Sequence, residues 1–176
     1  VISGKFFSNH RVENFVTEDF FKWIMSEEVL TSLNQELESV HNELQKIDFR
    51  SALKFDLLSE LYEEIIPHNI KAEYGGIFTP TWLADKIVQE IPNCKKISKI
   101  ILDPACGTGT FLRSIINEKL NQIPKAWGSQ QTLDKILSTI CGLDINPVSV
   151  IITKTTIMLA LANHLKNSNN PVSMPV

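Results

Sequence analysis

Asp103 lies just ahead of two closely spaced glycines in the run Asp103-Pro104-Ala105-Cys106-Gly107-Thr108-Gly109-Thr110-Phe111-Leu112. The apolar stretch Lys99-Ile100-Ile101-Leu102 leads into it, and Thr110 to Ile116 leaves it as an amphipathic helix. Gly107 and Gly109 permit a tight strand-to-helix turn and let a ligand lie against bare backbone. An acid at the strand end, before the glycines, can take the positive end of an amino acid. A second acid, Asp144, follows the short apolar run Cys141-Gly142-Leu143. A carboxylate there can accept both hydroxyls of a ribose. Upstream, Thr79 at an N-cap position and Pro80 at the first helical position start a helix whose N–H groups and positive dipole end suit a carboxylate.

An ammonium site, a carboxylate site and a ribose site together describe S-adenosylmethionine. The glycine loop alone is a weak signal; the set of three in this order is specific. Gly107-Thr108-Gly109 is also similar to the turn of nicotinamide-binding enzymes. There, however, Leu112 stands at the third glycine position, and the acid comes some forty residues on instead of roughly twenty. A non-enzymatic helical scaffold with a vestigial fold is the other alternative. Cys106 is read as a small side chain in a tight loop, without special thiol chemistry. Phe111 and Leu112 are read as core, with Phe111 able to touch a ligand as well. Cys94, Cys106 and Cys141 are odd in number with no C-x-x-C spacing, and His10, His41, His68 and His164 are scattered. Neither a disulfide framework nor a metal site is expected.

The elements that must position these residues fit in 176 residues, enough for one compact domain and an appendage. At 43% hydrophobic residues a core is expected. The net charge of −3 comes with no evident basic face, so any grip on DNA must come largely from elsewhere. With no signal peptide and no long uncharged apolar span, a cytoplasmic protein without a membrane segment is expected. The chain opens on Val1 and stops at Val176 as a β-like run begins, which reads as an excised piece of a longer polypeptide.

Residues 1–16 are ambiguous. Thr17 is a plausible cap for a helix burying Phe20, Phe21, Ile24 and Met25. Ser26 caps a second helix in which Leu30, Leu33, Leu37, Val40, Leu44 and Ile47 form a narrow seam. The seam is too short for an independent coiled coil and is expected to pack within a monomer, with a dimer seam as the alternative. A third helix puts Leu58, Leu61, Ile65 and Ile66 on one side and ends at Pro67. The helix opened by Thr79-Pro80 carries Leu83, Ile87 and Ile91. After the glycine-loop helix come a helix over Thr132 to Ile140, a strand over Cys141 to Ile145, a long apolar helix capped by Asn146 and running through Leu165, and the start of a third strand from Pro171. This order predicts a parallel sheet wrapped by helices.

Tyr74 to Pro80, Asp103 to Leu112 and Gly142 to Pro147 resemble the three cofactor-side motifs of the N6-adenine DNA methyltransferases, in the class that places the Phe-Thr-Pro segment first. Leu57-Leu58-Ser59-Glu60-Leu61-Tyr62 is similar to the helices before the methylase domain of restriction–modification enzymes with fused subunits. The resemblance covers Leu57 to Val176. It implies an α/β fold: a partial Rossmann-like, S-adenosylmethionine-dependent methyltransferase sheet over 71–176, preceded by a helical lead-in over 1–70. It implies that Asp103 and the backbone of Ala105, Cys106, Gly107, Thr108 and Gly109 hold the methionine part, with Phe78 and Thr79 beside it and Phe111 close by. Asp144 would hold the ribose and Ile145 would pack on the adenine. The implied cofactor is S-adenosyl-L-methionine and the implied partner is DNA, in the full-length parent.

The family's catalytic Asn/Asp-Pro-Pro-Tyr/Phe tetrapeptide accepts hydrogen bonds from the target amino group and stacks on the flipped base. It does not occur in this chain; Asn169-Asn170-Pro171-Val172 is not one. No catalytic residue is therefore assigned. A methylase acting on RNA or on a protein glutamine shares this cofactor half and stays open as an alternative.

Overall fold

The structure, a computed structural model, describes residues 7, 9–15, 26–46, 57–65 and 78–176. The expected helix after Thr17, the loop from Tyr74 to Ile77, and Ile47, Ile66 and Pro67 lie outside the described residues. In chain order the elements are β1 (Val12–Glu13), α1 (Glu27–Gln45), α2 (Leu57–Ile65), α3 (Thr81–Glu90), β2 (Ile101–Asp103), α4 (Thr110–Leu120), α5 (Ser129–Leu137), β3 (Ile140–Gly142), α6 (Pro147–Ala160), α7 (Ala162–Lys166) and β4 (Val172–Ser173). The fold is mixed α/β, with small parallel sheets among many helices. Among the described residues no helix is long and apolar enough to cross a membrane.

β2 and β3 pair in parallel, with Ile101 opposite Ile140, Leu102 opposite Cys141 and Asp103 opposite Gly142. The crossover between them carries α4 and α5, as a parallel connection requires. β4 pairs in parallel with β1, Val12 opposite Val172 and Glu13 opposite Ser173. The Gly142 N–H donates to the Pro175 carbonyl at 2.8 Å, which ties the two ladders together. Within the stretch that is ambiguous as sequence, Val12 and Glu13 thus form a strand. Arg11 and Asn14 hold it in place. Arg11 Nη1 donates to the Ser168 carbonyl, and the Asn14 amide exchanges hydrogen bonds with the backbone of Met174.

α4 is the centre of the core. Its Leu112, Ile115 and Ile116 are buried with Leu133 and Ile136 of α5, Ile157 of α6, Leu161 after it, and Val12, Phe15, Val172 and Met174. Each such side chain contributes about 1.5–3 kcal/mol by leaving water. Two lysines are buried as well, because their ammonium groups find backbone acceptors. Lys119 Nζ donates to the carbonyls of Lys99 and Thr139, clamping the starts of β2 and β3, and Lys154 Nζ donates to the Asn14 carbonyl. Burial lowers Lys119 to about 8 and pushes Lys154 in the same direction.

Several expectations are corrected. α3 starts one residue late: Pro80 is the N-cap, no side chain caps the helix, and Thr79 lies outside it. Its buried face is Ala84 and Val88, because small residues allow close approach to α4, while Ile91 is exposed. The long helix after Asn146 breaks at Leu161, where the backbone leaves helical geometry and a short second helix begins. α2 exposes Leu61 and Ile65 and buries Ser59. In α1 the seam residues Leu30, Leu37, Val40 and Leu44 are exposed, so among the described residues the seam is not packed as expected.

Candidate functional site

β2 ends on Asp103 and β3 ends on Gly142, side by side in the ladder, so the loops that follow both strands open on the same edge. The carboxyl ends of parallel strands are where α/β folds bind ligands. The first loop turns sharply through Gly107 and Gly109, which have φ of 53° and 88°, and delivers α4. At Gly109 a Cβ would lie 3.2 Å from the Thr153 Cα, so glycine is required both for conformation and for contact with α6.

The loop is fixed from several sides. Cys106 N–H donates to the Leu143 carbonyl, and Gly107 N–H donates to Asp144 Oδ2 at 2.8 Å. Thr153 and Thr156 of α6 donate their hydroxyls to the carbonyls of Gly107 and Thr108. The Cys106 thiol is buried, and burial pushes it up to about 11, so at neutral pH it is a packing group and not a nucleophile. Its sulfur lies 3.6 Å from Thr153 Oγ1, whose one proton goes to the Gly107 carbonyl. Phe111 is partly buried against the core.

Asp103 and Asp144 are brought together. Asp103 Oδ1 accepts the Ala105 N–H, while Oδ2 is buried without a hydrogen-bond partner. Burial holds this carboxyl above the usual carboxylate range; the Ala105 N–H opposes the shift and the nearby Asp144 adds to it. Asp144 Oδ1 accepts the Asn146 N–H. Asn146 caps α6 with its own side chain, which accepts from Val148, and Pro147 opens the helix. Among the described residues no lysine or arginine pairs with either acid. Two carboxylates with spare lone pairs, one of them orphaned, suit a ligand that brings a cation and hydroxyl donors. Ile145, next to them, is 91% exposed and free to pack on a flat apolar group. Among the described residues no group of acids, histidines and cysteines could hold a metal ion.

Phe78 reaches this loop from the segment before α3. Its ring edge lies 3.9 Å from where a Gly107 Cβ would stand. Thr79 is half-buried beside it. Two residues not assigned from sequence belong to the same region. Ser59 Oγ donates to Thr108 Oγ1 at 2.6 Å, and the Tyr62 hydroxyl accepts from Asn146 Nδ2 at 2.9 Å. The Tyr62 ring meets Phe78 edge-on at 5.5 Å. The signal in the sequence was a polar residue and a tyrosine three apart, which makes them neighbours on the helix surface.

The glycine loop and the two acids lie together at the carboxyl ends of paired parallel strands, the edge where α/β folds bind ligands. The N-6 DNA Methylase family profile matches residues 53–170, and the chain belongs to that family. Over 100 residues it is 33% identical to the Type I restriction enzyme EcoEI methylase subunit of Escherichia coli, covering 56% of this chain and 20% of that protein. Over 151 residues it is 28% identical to the Type II restriction enzyme and methyltransferase RM.BcgI of Heyndrickxia coagulans, covering 80% of this chain and 23% of that protein. The chain therefore spans no more than about a quarter of the length of these relatives. No solved structure matches it.

Proposed function

We propose that this chain is the donor-binding part of a cytoplasmic DNA adenine-N6 methyltransferase of a restriction–modification system, and that the donor is S-adenosyl-L-methionine. In this reading residues 71–176 form the N-terminal part of a Rossmann-like methyltransferase domain and residues 1–70 a helical lead-in. The observation that carries it is Asp103 Oδ2, a buried carboxylate oxygen without a partner beside the glycine loop. Leaving it unpaired is costly, and the ammonium of the methionine part would relieve that cost.

Asp103 and the backbone from Ala105 to Gly109 would hold the methionine part, with Phe78, Thr79 and Phe111 around it. Asp144 would accept the ribose hydroxyls with the lone pairs left over from Gly107 and Asn146, and Ile145 would cover the adenine. When bound, the cofactor supplies an electrophilic methyl group. This chain's own residues bind and orient it. The family's name, N-6 DNA Methylase, supports DNA as the substrate of the whole protein. With a net charge of −3, the chain leaves most of the grip on DNA to other parts of that protein.

Calorimetry of the 176-residue chain, expected to be a monomer, with S-adenosylhomocysteine tests the proposal. Binding is expected; no binding, or binding of NAD instead, overturns it. Labelled cofactor with mixed-sequence duplex is expected to give no methyl incorporation, since the chain contains no Asn/Asp-Pro-Pro-aromatic tetrapeptide.

A further inference from the structure

Helix α2 belongs to the lead-in, yet one of its faces touches the cofactor crevice at three points. Ser59 donates to the Thr108 hydroxyl within the glycine loop. One turn on, the Tyr62 ring stands edge-on to Phe78, which itself lies against Gly107. The Tyr62 hydroxyl accepts the amide of Asn146, whose backbone N–H holds Asp144 Oδ1. Ser59 is buried although its neighbours Leu61 and Ile65 are exposed. Among the described residues, the helix meets this region through the hydrogen bonds of Ser59 and Tyr62 and the Tyr62–Phe78 ring contact. Burying a hydroxyl is unfavourable unless it is hydrogen-bonded, so this docking depends on the geometry of the loops it meets.

We propose that Tyr62 is a positioning residue for the ribose-binding acid and Ser59 one for the glycine loop, so that the lead-in helix sets the affinity for the cofactor without touching it. The inference rests on the reading of Asp144 as the ribose acid. Asn146 is held at both ends, by the α6 N-terminus through Oδ1 and by Tyr62 through Nδ2. Releasing Nδ2 lets the Asn146 side chain turn and loosens the N–H that orients Asp144.

The test is calorimetry of the 176-residue chain with S-adenosylhomocysteine and with its 2′,3′-dideoxy analogue, which offers Asp144 no hydroxyls. Tyr62→Phe keeps the ring and removes the acceptor. It is expected to weaken S-adenosylhomocysteine roughly three- to tenfold, the effect of one ordinary hydrogen bond, and to leave the analogue unchanged. Asn146→Ser keeps a capping oxygen and removes the amide donor. It should reproduce that pattern, and the double variant should be no worse than either single one. Ser59→Ala should weaken both ligands alike. If Tyr62→Phe binds S-adenosylhomocysteine as the parent does, or loses equally on both ligands, the positioning role is wrong while the cofactor reading stands. If the parent chain binds no S-adenosylhomocysteine, the cofactor reading itself fails, and this inference with it.

Discussion

Asp144 Oδ2 accepts the backbone N–H of Gly107 at 2.8 Å, so the acid two residues beyond β3 braces the glycine loop that follows β2. Asp144→Ala removes that brace and the proposed ribose acceptor together. Hydrogen bonds to a charged group contribute about 1.5–3 kcal/mol. A loss of roughly ten- to a hundredfold in S-adenosylhomocysteine affinity is expected by calorimetry. Unchanged binding would show that the ribose lies elsewhere.

Burial holds the Asp103 carboxyl above its ordinary value of 3.8, and the proposed contact with an ammonium requires the ionised form. In the ligand-free chain, a raised carboxyl adds stability below the unfolded value and loses it as pH rises through the folded one. Binding runs the other way. As pH falls through the raised value, the ligand must drive off a proton, and S-adenosylhomocysteine affinity drops by up to about tenfold per pH unit. Asp103→Asn should bind weakly and lack this slope. A slope that survives in Asp103→Asn would assign it to another group.

Gly142 faces the core across β3. A Cβ there would stand 2.8 Å from Leu112 Cδ1 and 3.1 Å from Cys106 Sγ, both on fully packed side chains. Gly142→Ala is expected to cost about 1–3 kcal/mol, the usual cost of overpacking. That corresponds to a thermal midpoint lowered by several degrees. Gly128→Ala, with nothing within 4 Å of the new methyl, is the control and should change the midpoint little.

The seam of α1 predicts the opposite of a core. Leu37 is 46% exposed, so Leu37→Asp should change stability by less than about 0.5 kcal/mol. A loss of several kcal/mol in a denaturant titration would mean that the seam is covered in solution.

The sequence by itself determined the local parts of this protein. Asp103, Gly107 and Gly109 could be read as a strand-to-helix turn because chirality leaves few residues able to turn there. Asn146-Pro147 could be read as a helix start because capping is a contact between near neighbours. The tertiary structure decided what is far apart in the chain. Val12 pairing with Val172 was not legible, since two-residue strands carry no periodicity. The inward face of α2 was misread because apolar spacing pointed to Leu61 and Ile65, whereas Ser59 and Tyr62 are turned inward by partners at Thr108, Phe78 and Asn146. Hydrophobic pattern finds faces that bury by leaving water; it is blind to faces held by specific hydrogen bonds, whose partners only the fold brings within reach.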